Sequence, residues 1–114
     1  FTGLGRQARV QKAKIDVDRL QVAKATTRAQ LSMQYEQALS DYVFALDNLQ
    51  NQESNRQLSE RIRNRTMRKY QEGLSSSLDF TQAQNQYLDA ERKYINALLN
   101  LLNAKEALEY ALGK

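Results

Sequence analysis

Two carboxylate pairs, Asp16 with Asp18 and Glu106 with Glu109, are the first places to look for chemistry. Closely spaced carboxylates can hold a cation or divide acid and base work. Neither pair has a histidine or cysteine to complete a ligand set, because the chain contains none, so both read as surface charges. A basic run comes next: Arg56, Arg61, Arg63, Arg65, Arg68 and Lys69 are opposed in their window only by Glu53 and Glu60. Phosphate binding would need these side chains along one groove. Arginines at 61, 63, 65 and 68 point around a helix instead, and no aromatic platform is interleaved with them. The run reads as a solvated face or a partner to acidic helices, with no nucleic acid implied. Tyr87 and Tyr94 read as packing residues, not as a cofactor site. No phosphate loop and no acid–base arrangement is visible. The chain reads as a non-enzyme without metal or cofactor.

The residues that remain informative are structural. The chain has 114 residues, no proline and a net charge of +4, with 41% apolar and 26% charged residues. Long runs of Ala, Leu, Gln, Glu, Lys and Arg predict helix nearly throughout. No window approaches the roughly 18 apolar residues of a transmembrane helix. Beginning at Phe1, the chain reads as a piece of something larger. Its strongest punctuation is Tyr70-Gln71-Glu72-Gly73-Leu74-Ser75-Ser76-Ser77-Leu78-Asp79. Gly73 can take the left-handed conformation that closes a helix. Ser75, Ser76 and Ser77 compete as caps of the next helix, and Asp79 puts a negative charge in its first turn. A stop followed at once by a start predicts a hairpin.

The fold expected is therefore all-α: a long antiparallel coiled-coil helical hairpin, with helices over about 6–72 and 76–112 and a tip at 73–76. Phe1-Thr2-Gly3-Leu4-Gly5 looks like the end of an extended segment entering the first helix. That helix, about 100 Å long at about 1.5 Å per residue, has its weakest stretch at Asn48–Asn55. There Asn51, Ser54 and Asn55 lower propensity and leave a break as the alternative. Its apolar stripe runs through Leu31, Tyr35, Ala38, Tyr42, Ala45 and Leu49, then thins to Leu58, Ile62 and Met67. The second helix is more regular. Phe80, Ala83, Tyr87, Ala90, Tyr94, Ala97, Leu101, Ala104, Leu108 and Ala111 alternate three and four apart, one large residue and one alanine per heptad. This is the expected helix-packing seam, and a sustained seven-residue repeat predicts left-handed supercoiling. Leu88, Ile95 and Leu102 form another stripe, and a helix with two apolar faces has more than one neighbour. The second helix is roughly half as long as the first, which leaves Val10 to Tyr35 without an intrachain partner and implies oligomerisation or contact with other segments.

The order Tyr70-x-x-Gly73-Leu74-Ser75-x-x-Leu78-Asp79, then Ala83, Tyr87-Leu88, Ala90 and Ala111-Leu112-Gly113, resembles the second half of a repeat in TolC-type outer-membrane efflux channels. Phe1-Thr2-Gly3-Leu4-Gly5-Arg6 is similar to the segment where a barrel strand of that family enters its long helix. The resemblance implies a homotrimer with an outer-membrane β-barrel, absent from this segment, and a periplasmic tube of helices. It implies partners too: a periplasmic adaptor and, through it, an inner-membrane pump. By position, Gly73, Leu74 and Ser75 correspond to an adaptor-docking turn, and Tyr70 and Asp79 to the tunnel entrance. Two positions depart from the pattern. Ser75 stands where some members have arginine, and Gln82 where some have a second carboxylate. An aperture salt bridge or paired-carboxylate cation site is therefore not expected. A periplasmic adaptor's coiled-coil hairpin, or a generic coiled-coil scaffold, is the competing reading. The unequal arms and the Phe1–Arg6 entry speak against the adaptor.

Overall fold

A computed structural model describes residues 2–113. They form two helices, α1 over Thr2–Gln71 and α2 over Ser77–Ala111, joined by a turn. The expected limits of 6–72 and 76–112 agree to within a residue or two except at the start of α1. Thr2 to Gly5 are helical rather than extended, and Phe1 lies outside the described residues. Among the described residues no strand offers an edge to pair with, so helical hydrogen bonds are the ones this segment can make. The chain divides into two units, Phe1–Gln37 and Ala38–Lys114.

In the first unit, every described side chain from Gly3 to Gln37 is exposed, including Val10, Val17, Leu20 and Leu31. Helix here follows from local propensity, and Thr27 is accommodated by donating its hydroxyl to the Ala23 carbonyl at 2.9 Å.

In the second unit, α1 continues through Asn51, Ser54 and Asn55 without a break. Side-chain pairs one turn apart support it there: Gln52 donates to Asn48 at 3.4 Å, and Gln57 and Arg56 donate to Glu53 at 3.0 and 2.8 Å. α2 returns antiparallel beside it. Three contacts set the register: Tyr70 on Phe80, Arg63 on Tyr87 and Arg56 on Tyr94. Each step of seven back along α1 is matched by seven forward along α2. The same register places Leu49 level with Leu101 and Tyr42 level with Leu108, all four half-buried.

Between these layers α2 carries its alanines. Ala83, Ala90 and Ala97 are buried, the last two with 2% of their surface exposed, and Ala45 of α1 is buried as well. Small side chains let a neighbouring backbone come close while the large residues fill the alternate layers. Each methyl removed from water contributes about 0.8 kcal/mol. A leucine at position 90 has no room. Ala90→Leu is expected to cost about 1–3 kcal/mol, read as a lower midpoint of thermal unfolding followed by circular dichroism. An unchanged midpoint would mean that this side of α2 faces water.

Candidate functional site

The turn is built from local chemistry. Gly73 has φ +75°, and nothing lies within 4 Å of where a Cβ would stand, so the constraint there is conformational and not spatial. The Gly73 amide donates to the Tyr70 carbonyl at 3.1 Å, and the Leu74 amide to the Lys69 carbonyl at 2.8 Å. This paired closure satisfies carbonyls that a helix end otherwise leaves open, and it needs a left-handed residue at Gly73. Arg68 and Lys69 sit in the last turn of α1, where positive charge is favoured. The chain then restarts. Ser76 caps α2 by accepting from the Asp79 amide at 3.1 Å, and the Ser75 hydroxyl donates to Asp79 Oδ2 at 3.2 Å. Asp79 thus lies in the first turn of α2, where a negative charge is favoured and its own amide is capped.

Each residue singled out in the sequence can now be placed. Gly73 closes α1. Leu74 follows it and is 74% exposed at the end of the hairpin. Ser75 is half-buried beneath Asp79. Tyr70 stacks on Phe80 with ring centroids 5.8 Å apart and planes 16° apart, locking the last layer before the turn. Phe80, Tyr87, Tyr94, Leu101, Ala104 and Leu108 are half-buried on the face that carries the buried alanines. Tyr70 and Asp79 lie on either side of the turn, both exposed. Gln82 is exposed too. Asp16, Asp18, Glu106 and Glu109 are all exposed, and no group of three possible metal-ligating side chains comes together among the described residues.

The basic run divides in two. Arg61, Arg65, Arg68 and Lys69 are exposed, but Arg56 and Arg63 are not part of a solvated face. They reach across to α2 and lie over the rings of Tyr94 and Tyr87, at 5.1 and 4.2 Å from the ring centres. Long stems that cover apolar surface under a charged head suit this position. Arg56 is also held by Glu53 at 2.8 Å and Glu60 at 4.0 Å. The Arg56 guanidinium holds the Glu53 carboxyl below its ordinary 4.5, against the upward pull of partial burial, with Gln57 adding to the lowering. Reading by apolarity missed this stretch and pointed to Leu58, Ile62 and Met67, all of which are exposed. Counting in sevens from Tyr42 and Leu49 to Arg56, Arg63 and Tyr70 would have found it.

Two outcomes follow. Gly73→Val puts a β-branched residue at positive φ and is expected to cost about 1–2 kcal/mol, visible as a lower unfolding midpoint, whereas Gly73→Asn should cost less. The depressed Glu53 carboxyl contributes stability while it is ionised, and that contribution is lost as pH falls below 4.5 through its folded value. Wild type should therefore melt above Glu53→Gln at pH 7, with the gap closing as pH drops past that point.

A family model described as outer membrane efflux protein matches residues 1–114. No curated protein and no solved structure matches the chain significantly. No described helix is long and apolar enough to cross a membrane, and the match accounts for the helical hairpin as one segment of an efflux protein. The chain belongs to the outer membrane efflux protein family, as a segment of an outer-membrane efflux channel.

Proposed function

We propose that residues 1–114 are one periplasmic hairpin in the α-helical tunnel of a trimeric outer-membrane efflux channel. On this reading Gly73, Leu74 and Ser75 dock a periplasmic adaptor, which links the channel to an inner-membrane pump. Tyr70 and Asp79 belong to the tunnel entrance, and β-barrel segments elsewhere in the protein hold the membrane. The segment forms part of a conduit and carries out no catalysis.

The observation that carries the reading is the exposed leucine at a rigid end. Leu74 is 74% exposed, yet its backbone is fixed by its own bond to Lys69 and by the left-handed Gly73 before it. An apolar side chain held out on a bonded turn pays little ordering entropy on contact, which suits a docking point. Ser75 and Asp79 support the arrangement, since their hydrogen bond ties the turn to the start of α2.

Leu74→Glu in the full-length protein tests this. Export of a fluorescent pump substrate should fall at least tenfold in cells that rely on this channel. Channel abundance and trimer content in the outer membrane should stay unchanged. Export at the wild-type rate with Leu74→Glu would remove the turn from the docking interface.

A further inference from the structure

Asparagines recur along one side of the hairpin. On α1, Asn48 and Asn55 precede the seam residues Leu49 and Arg56 by one, and Asn51 follows Leu49 by two. On α2, Asn100 precedes Leu101 by one, while Asn96 and Asn103 follow Tyr94 and Leu101 by two. In two antiparallel helices, displacements of minus one and plus two fall on the same side of the pair. The register of the ring contacts sets Asn48 within one residue of the level of Asn103. Asn51 matches Asn100 and Asn55 matches Asn96 in the same way, so three amide pairs are stacked along that side. Five of the six asparagines are exposed, and Asn48 is half-buried and accepts from Gln52. Beyond the Asn48–Asn103 pair, Phe44 and Tyr110 stand on this side too, 74% and 84% exposed. Asn103 and Tyr110 line a shallow groove with Ala107, Glu106 and Glu109.

We propose that this amide side binds a neutral glycan strand laid along the hairpin. The surface lies away from the turn and stands whether or not the turn docks an adaptor. Helix stability does not account for the pairs, because asparagine is a poor helix former. Solvation alone does not either. Exposed helix faces usually carry charge, and 26% of the chain is charged, yet the three pairs carry none. Each amide offers donors and an acceptor together, which complements hydroxyl groups that also do both. Phosphate is a poor occupant. Lys93, the basic side chain on this side of α2, is engaged by Asp89 at 3.2 Å, and the groove beside Tyr110 holds two carboxylates. Successive pairs are three and four residues apart, or about 4.5 and 6 Å along the axis. An extended peptide repeats at about 3.3 Å per residue and misses that interval, whereas one pyranose unit of an extended glycan fits it. Phe44 and Tyr110 add ring faces against which the C–H face of a sugar can lie.

Cosedimentation of the full-length protein with insoluble chitin, a neutral β-linked polymer of acetylated amino sugar, tests this. The protein is expected in the pellet and should be released by soluble chitotetraose. Asn51→Ala combined with Asn100→Ala removes the middle pair and should weaken binding about tenfold. Tyr110→Ala should weaken it as well. Gln50→Ala, at the same level on the other side of the hairpin, should leave it unchanged. All four positions are exposed, so helicity by circular dichroism should be the same in every variant. Absence of wild-type protein from the pellet would overturn the proposal. So would full binding by the variant without the middle pair, or an equal loss with Gln50→Ala. Release by a neutral glycine–serine peptide, and not by chitotetraose, would make this a peptide surface and overturn it too.

Discussion

Close approach of two backbones along a row of alanines is the constraint on which the second unit depends. Ala83, Ala90 and Ala97 recur every seven residues and are the most buried positions of α2. They give little apolar area each, so they stabilise the pair chiefly by admitting it to short range. Once the backbones are near, the alternate layers must be filled by side chains long enough to span the seam. Phe80, Tyr87, Tyr94, Leu101 and Leu108 supply these from α2. α1 answers with Tyr70, Arg63, Arg56, Leu49 and Tyr42 in the same rhythm.

Those answering residues change character along the hairpin. The layers farther from the turn, Leu49 with Leu101 and Tyr42 with Leu108, are aliphatic or aromatic. Nearer the turn, guanidinium groups lie on tyrosine rings, and Glu53 and Glu60 flank Arg56. Layers built from charge on a ring and from partly exposed ion pairs give less per contact than buried apolar ones and depend more on pairing geometry. The two guanidinium layers are accordingly specified more by pairing geometry, and the Tyr70–Phe80, Leu49–Leu101 and Tyr42–Leu108 layers by apolar contact.

The sequence made some of this legible and hid the rest for physical reasons. Gly73, the serines after it and Asp79 act through bonds within five residues, so the turn and both helix ends could be read directly. The three–four alternation of α2 was equally plain, because each of its seam residues is apolar. The facing stretch of α1 was not. Arg56 and Arg63 are charged by type but bury their stems over rings, and apolarity cannot reveal this. Continuity through Asn51–Asn55 was ambiguous because the supporting pairs Gln52–Asn48 and Gln57–Glu53 are properties of side-chain placement. Thr2–Gly5 was misread because two glycines and a β-branched residue lower helix propensity there, whereas the segment continues the first turns of α1. At the candidate site, Leu74 was singled out by the family resemblance, whereas its exposure on a bonded end is a property of the folded turn.

The arrangement of Tyr70 on Phe80 has a kinetic consequence. Those rings close the smallest loop of the three cross-helix contacts, and the entropy of bringing chain ends together rises with the length between them. Once they meet, Arg63 and Tyr87 are neighbours along a path already closed, and Arg56 and Tyr94 after them. The hairpin can therefore assemble as a zipper whose first tooth sits beside the turn. With no proline in the chain, no slow prolyl isomerisation interrupts it. The end that presents Leu74 is thus the first part of the seam to acquire its shape.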